Sequence, residues 1–150
     1  MPVQNHGVTR CGNDLQFGLP AFCHAARHVR RSCRIAFATA ASQGAYDDAL
    51  ANFQRVIRLY PESAFVPDAL VASAAVFRRA GRYDSAIDAA RRAVLDHPAS
   101  SIAPEAQYEL ALSLVMAGDV QTGMEEFQRV RTAWPSSPAA ARALNATTAL

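Results

Sequence analysis

The residues best suited to metal chemistry lie within the first 33 positions of the chain. They are Cys11, Cys23, His24, His28 and Cys33. His24 and His28 are four residues apart, so one helix face could present both imidazoles, and cysteine thiolates are good zinc ligands. The spacing C-x11-C-H-x3-H-x4-C, however, contains no C-x2-C pair and fits no established zinc-finger pattern. We therefore predict no metal site and no cofactor, and we interpret residues 1–28 as a poorly ordered leader.

Motifs for catalysis are missing from the sequence. It has no Gly-rich phosphate loop, no G-x-S-x-G elbow and no H-E-x-x-H pair. The helix dipole and solvation explain four aspartates near the predicted starts of helices, which are Asp47, Asp48, Asp84 and Asp88. We therefore predict that the protein is not an enzyme.

The charge distribution argues against a nucleic-acid-binding protein. Residues 1–43 carry five arginines and one acid, whereas residues 44–150 carry ten arginines and twelve acids. A protein that binds DNA or RNA is expected to concentrate basic residues on its folded body. No run reaches the roughly 18 apolar residues that a membrane-spanning helix needs. Half of the chain is apolar, at 51%, and rich in Ala, which favours closely packed helices.

Elements that would position any functional residue recur at an interval of 37 residues. The recurring landmarks are Gly44, Gly81 and Gly118; Tyr46, Tyr83 and Val120; Ala49, Ala86 and Gly123; and Pro61, Pro98 and Pro135. Between Gly44 and Pro61 the apolar residues are spaced three or four apart, or adjacent, which follows a helical stripe. His97 precedes Pro98 at the position of Tyr60 and Trp134, so we predict that it packs rather than reacts.

Each repeat reads as two helices. The first, helix A, opens with Pro67 and Asp68 in one unit and with Pro104 and Glu105 in the next, as suits a first helical turn. It should end at the Gly, which adopts a left-handed conformation readily. Helix B follows and should end at the Pro. A two-helix hairpin cannot bury its apolar face alone, so we predict a stack of such hairpins. We expect small residues at the Ala49 position to allow close helix approach, and Phe53 and Phe127 to fill the layers.

These Gly, Tyr, Ala, Phe and Pro landmarks resemble the tetratricopeptide repeat, whose usual unit is about 34 residues. The phrases YPESAFVPDAL and HPASSIAPEAQYELA are similar to the C-terminal repeats of the TolA-binding protein of the Tol-Pal system. They also resemble the outer-membrane assembly lipoprotein that partners the β-barrel insertase. The resemblance implies an all-α fold, a right-handed solenoid of about three helix-turn-helix hairpins.

We expect the repeat domain to cover residues 29–150. Its predicted units are 29–65, 66–102 and 103–139, followed by a partial capping helix at 140–150. Residues 29–43 would form a degenerate first helix A, because Val29, Cys33, Phe37 and Ala40 have helical spacing.

The resemblance also implies a concave groove, lined by the A helices, that holds a partner segment. Register places eight residues there, which are Asp68, Val71, Ala75, Arg78, Glu105, Tyr108, Leu112 and Val115. The degenerate first helix would add Arg31 and Arg34, and the last helix Arg142 and Asn145. Exposed Val71, Tyr108 and Leu112 would bind a peptide by apolar burial, and Arg78 would hold an acidic group. Two alternatives stay open: the apolar residues pack against a neighbouring A helix, and Arg78 is a solvated charge.

The family therefore implies a scaffold or adaptor that binds a protein or peptide segment, in a bacterial envelope assembly. The alternative is a structural module that self-associates through an uncapped end of the stack. The resemblance places the protein in the periplasm or envelope, whereas the sequence shows no recognisable export signal and so also fits the cytoplasm.

Overall fold

A computed structural model describes residues 43–149 of the 150, and side chains from Tyr46 onward. Within this part the chain forms helices and no strand. The helices are α1 (Gln43–Leu59), α2 (Val66–Arg79), α3 (Tyr83–Asp96), α4 (Ala103–Met116), α5 (Val120–Ala133) and α6 (Pro138–Thr148). The predicted all-α repeat fold is confirmed. The leader, the degenerate first helix and the five candidate zinc ligands lie outside the described residues.

The helices form two layers. The A helices α2, α4 and α6 contact one another in succession, and in the described part the B helices α1, α3 and α5 contact only A helices. Thus α3 lies between α2 and α4, and α5 between α4 and α6. Because the A helices approach each other more closely than the B helices do, the stack curves with its A helices on the concave side.

A single glycine forms the turn in each of two hairpins. Gly81 has φ 74° and Gly118 has φ 99°, in the left-handed region that suits residues without a Cβ. Beside Gly81, the Arg82 N–H donates to the Phe77 carbonyl, and the Gly81 N–H donates to the Arg78 carbonyl. This is the Schellman pattern of a helix end, and Gly118 repeats it. The predicted turns are confirmed here, but Gly44 lies in the first turn of α1, so the prediction of a turn at that position is wrong.

Prolines mark the other ends of the helices, as predicted. Pro67 and Pro104 occupy the first turns of α2 and α4, where their missing N–H groups need no partner. The B helices end two residues before Pro61, Pro98 and Pro135. The last helix begins at Pro138, two residues before the predicted start at 140. The division into units stays a prediction, as does a capping role for the last helix.

Two phenylalanines fill the layers between hairpins. Phe53 and Phe127 are completely buried, and Phe127 packs with Ala111 of α4 and Ala143 of α6. In α3 the equivalent position is Ala90, and Leu110 and Leu114 of α4 fill the space there. A phenylalanine of the B helix therefore fills the layer in one unit, whereas leucines of the following A helix fill it in another.

The close approach of α4 and α5 requires a residue without a side chain at Gly123. A Cβ built there would lie 2.5 Å from Val115 Cγ2 and 2.9 Å from the Ala111 carbonyl oxygen. Contacts this short force the helices apart. At the equivalent positions Ala49 and Ala86, a methyl group fits and is fully buried. Helix α5 therefore approaches α4 more closely than α1 and α3 approach their partners.

Gly123→Ala is therefore expected to lower the free energy of unfolding by about 1 kcal/mol. Overpacking costs about 1–3 kcal/mol, and the better helix propensity of Ala returns about 1 kcal/mol. Urea denaturation followed by circular dichroism measures the loss. Combining the change with Val115→Ala tests its cause, because removal of the clashing methyl makes the double variant more stable than the sum of the single effects. Stabilisation by Gly123→Ala alone would contradict the close packing.

Candidate functional site

The eight predicted groove residues lie on α2 and α4, two neighbouring helices of the concave side. Four belong to each helix, at successive spacings of three or four residues, which place them along one face. What each side chain contacts decides whether it is available to a partner.

Arg78 connects α2 to α4. Its Nε donates to Glu109 Oε2 at 3.0 Å, and its Nη2 donates to Oε1 at 3.4 Å. The two side chains are only 15% and 9% exposed. A forked guanidinium–carboxylate pair with so little exposure is a structural contact between helices. The interpretation of Arg78 as a solvated charge is therefore wrong, and its fork is not free to hold an acidic group of a partner.

Arg142 connects α6 to α4. It donates a hydrogen bond to Glu105, and its guanidinium carbon lies 4.5 Å from the centre of the Tyr108 ring, within cation–π range. The Tyr108 ring in turn lies 5.6 Å from that of Phe127. Burial raises the pKa of the Tyr108 hydroxyl, and the charge of Arg142 partly offsets this rise. Tyr108 thus joins the concave face to the core beneath it.

The apolar groove positions are unequal in exposure. Val71 is buried and packs with Ala93 of α3 and Ala106 of α4, so the expectation that it is exposed is wrong. Leu112 and Val115 are half-buried against the core cluster of α4, α5 and α6. Ala75 is also half-buried. Packing against neighbouring helices therefore accounts for Val71 entirely and for Leu112 and Val115 in part.

Asp68 differs from the other charged groove residues. It lies half-buried in the first turn of α2, and no cationic side chain among residues 46–149 pairs with it. Burial raises the pKa of its carboxyl, and a hydrogen bond from the backbone opposes the rise. This carboxylate has lost hydration without gaining a salt-bridge partner among the described side chains.

The comparison with known families agrees with this architecture. A tetratricopeptide repeat model matches residues 39–101 and 71–138, which together span two-thirds of the chain. The chain belongs to the tetratricopeptide repeat family. No curated protein matches it closely enough to suggest a more specific relative.

Tetratricopeptide repeats generally mediate protein–protein interactions and are typically non-catalytic scaffolds. That general role agrees with the predicted binding of protein partners. Over the described helices of this tetratricopeptide protein, no group of three His, Cys, Asp or Glu side chains could hold a metal ion. None of those helices is both long and apolar enough to cross a membrane.

Sequence reasoning missed three polar residues that hold the tetratricopeptide hairpins together. Glu109 binds Arg78, and Gln107 of α4 donates to Glu126 of α5, which also accepts from Arg129 at 2.8 Å. Gln107, Glu109 and Glu126 are all buried. The sequence could have revealed them, because they stand on helix faces where the repeat predicts apolar residues. Long polar side chains are rarely buried without a partner, so such positions indicate polar contacts between helices.

Proposed function

We propose that this protein is a scaffold whose concave face, formed by α2, α4 and α6, holds a segment of another protein. The observation that supports it most is the unbroken row of contacting A helices, cross-linked by the Arg78–Glu109 and Arg142–Glu105 pairs. The largely buried Arg78–Glu109 pair holds α2 against α4 before a partner arrives. A surface organised in advance loses less conformational entropy when it binds.

Half-buried apolar side chains supply the contact area of this face. Ala75 on α2 and Leu112 on α4 occupy the same register position one repeat apart, and both retain partial exposure. A partner segment that covers them removes apolar surface from water, which is the main source of affinity in peptide-binding grooves.

The envelope role is the finer part of the proposal. Its support is the 37-residue unit and the YPESAFVPDAL phrase, which resemble the repeats of the TolA-binding protein and of the outer-membrane assembly lipoprotein. We propose that the partner belongs to a bacterial envelope assembly. Self-association through the end of the stack stays the alternative prediction.

Affinity capture on the immobilised full chain tests the scaffold proposal. Ala75→Arg places a long side chain on the α2 part of the proposed concave face and should abolish capture of the specific partner. Ala51→Arg, on the exposed side of α1, is the matched control and should leave capture unchanged. Quantitative mass spectrometry of proteins from the native cell compares the two variants with the wild-type chain.

The identity of the captured proteins separates the two parts of the proposal. Envelope proteins that depend on Ala75 support both parts, whereas cytosolic proteins that depend on it support the scaffold and contradict the envelope role. If no protein distinguishes Ala75→Arg from Ala51→Arg while both variants remain helical, the concave face is not the binding surface.

A further inference from the structure

We propose that the concave face selects a basic segment, in which a Lys or Arg side chain pairs with Asp68 and an apolar side chain lies over Ala75. This inference rests on the proposed function and specifies the chemistry of the partner. The sequence alone predicted that Arg78 would hold an acidic group of the partner, and this inference predicts a basic group instead.

The first argument is that Arg78 and Arg142, the two arginines at groove positions in the described part of the chain, are already paired with acids. Arg78 donates to Glu109 through Nε and Nη2, and Arg142 donates to Glu105 and lies over the Tyr108 ring. An acidic partner would have to displace a carboxylate from one of them. Displacement from Arg78 would leave the largely buried Glu109 carboxylate without a cation, which costs more than the new pair gains.

The second argument is the state of Asp68. An acid in a first helical turn is ordinarily explained by the helix dipole. Here the carboxyl is half-buried and its pKa is raised by that burial, so the dipole does not compensate fully for the lost hydration. A cation brought beside it forms a charge-assisted hydrogen bond and restores the favourable environment.

The geometry of α2 sets the spacing within the segment. Ala75 follows Asp68 on the same face, seven residues later, and is half-buried. Seven residues of helix extend about 10 Å, which an extended segment spans in about three residues. The basic residue and the apolar residue of the partner should therefore be about three positions apart.

Selection from a random library of 12-residue peptides displayed on phage tests the inference, with the full chain as the target. We expect the selected peptides to be enriched in Lys or Arg placed about three positions from an apolar residue. A synthetic copy of the most enriched peptide should bind the Asp68→Asn variant at least about tenfold more weakly. Asp84→Asn is the matched control, because Asp84 lies exposed in the first turn of α3, and it should change the affinity by less than about twofold.

The outcomes distinguish this inference from the proposed function. Peptides that bind the Ala75 surface without basic enrichment, or equally well to Asp68→Asn, overturn the inference and leave the scaffold proposal intact. Failure to select any peptide that depends on Ala75 contradicts both.

Further measurements on variants would reveal two other possible occupants of this face. If peptides bind only when Arg31→Gln and Arg34→Gln are introduced together, the chain's own arginines pair with Asp68 in the wild-type chain, and the proposed basic partner is overturned. If the wild-type chain sediments as a dimer and Asp68→Asn as a monomer, a second copy of the chain is the occupant, and the proposed basic partner is again overturned.

Discussion

Phe127→Ala is expected to lower the free energy of unfolding by about 3–5 kcal/mol. The ring is completely buried where α4, α5 and α6 meet, and it contacts the Tyr108 ring of the concave face. The alanines around it, including Ala111, Ala140 and Ala143, are too small to fill the space that the ring would leave. The cost of the cavity therefore adds to the lost burial of the ring.

In a repeat protein each hairpin contacts only its neighbours. The destabilisation should therefore be confined at first to the unit that contains Phe127. The single tryptophan, Trp134, directly follows α5 and reports on the unit that contains Phe127. During urea denaturation of the variant, tryptophan fluorescence should therefore change at a lower urea concentration than the circular dichroism signal of the whole chain. In the wild-type chain the two transitions should lie closer together.

Leu95→Ala is the control for this prediction. Leu95 is 69% exposed near the end of α3, so its truncation should alter the stability by no more than about 0.5 kcal/mol. A loss below about 1 kcal/mol for Phe127→Ala would show that the ring does not fill the layer between the hairpins.

The second large effect is expected from Arg78→Met, which should lower the free energy of unfolding by about 2–3 kcal/mol. Methionine keeps much of the apolar stem but leaves the Glu109 carboxylate in its largely buried position without a cation. Removing one partner of a buried ion pair costs about 3–5 kcal/mol, and the residual exposure of both side chains reduces the figure. Thermal and urea denaturation measure the loss.

The double variant Arg78→Met with Glu109→Leu should recover most of that stability, because a buried ion pair replaced by apolar residues is often neutral. Arg92→Met is the surface control. The Arg92–Asp96 pair is exposed, with a separation of 3.9 Å, and should contribute less than about 0.5 kcal/mol. If the double variant is as unstable as Arg78→Met, an unpaired Glu109 is not the cause of the loss.

The hairpins could be predicted from the sequence because local chemistry specifies them. Gly81 and Gly118 adopt a conformation that disfavours side chains. Prolines stand in the first turns of α2, α4 and α6 or just after the B helices, as their missing N–H requires. The same landmark failed at Gly44, which lies in the first turn of a helix. A helix tolerates glycine at modest cost, so the residue permits a turn without requiring one.

The candidate site was harder to predict because its contacts depend on how neighbouring A helices are offset. Glu105 and Arg142 are 37 residues apart, so their opposite charges at one register position could have indicated the pair. Arg78 and Glu109 are 31 residues apart, and no repeat position relates them. Val71 also has the register of a groove residue, but the position of α3 and α4 around it places it in the core.

The two cross-links differ in their access to water, and this difference bears on the mechanics of the stack. The side chains of Arg78 and Glu109 are 15% and 9% exposed, whereas those of Arg142 and Glu105 are 44% and 28% exposed. Dissolved salt screens exposed charges much more than buried ones. Rising ionic strength therefore softens the junction between α4 and α6 while that between α2 and α4 stays stiff. Within the described helices, the curvature is therefore fixed between α2 and α4 and adjustable between α4 and α6.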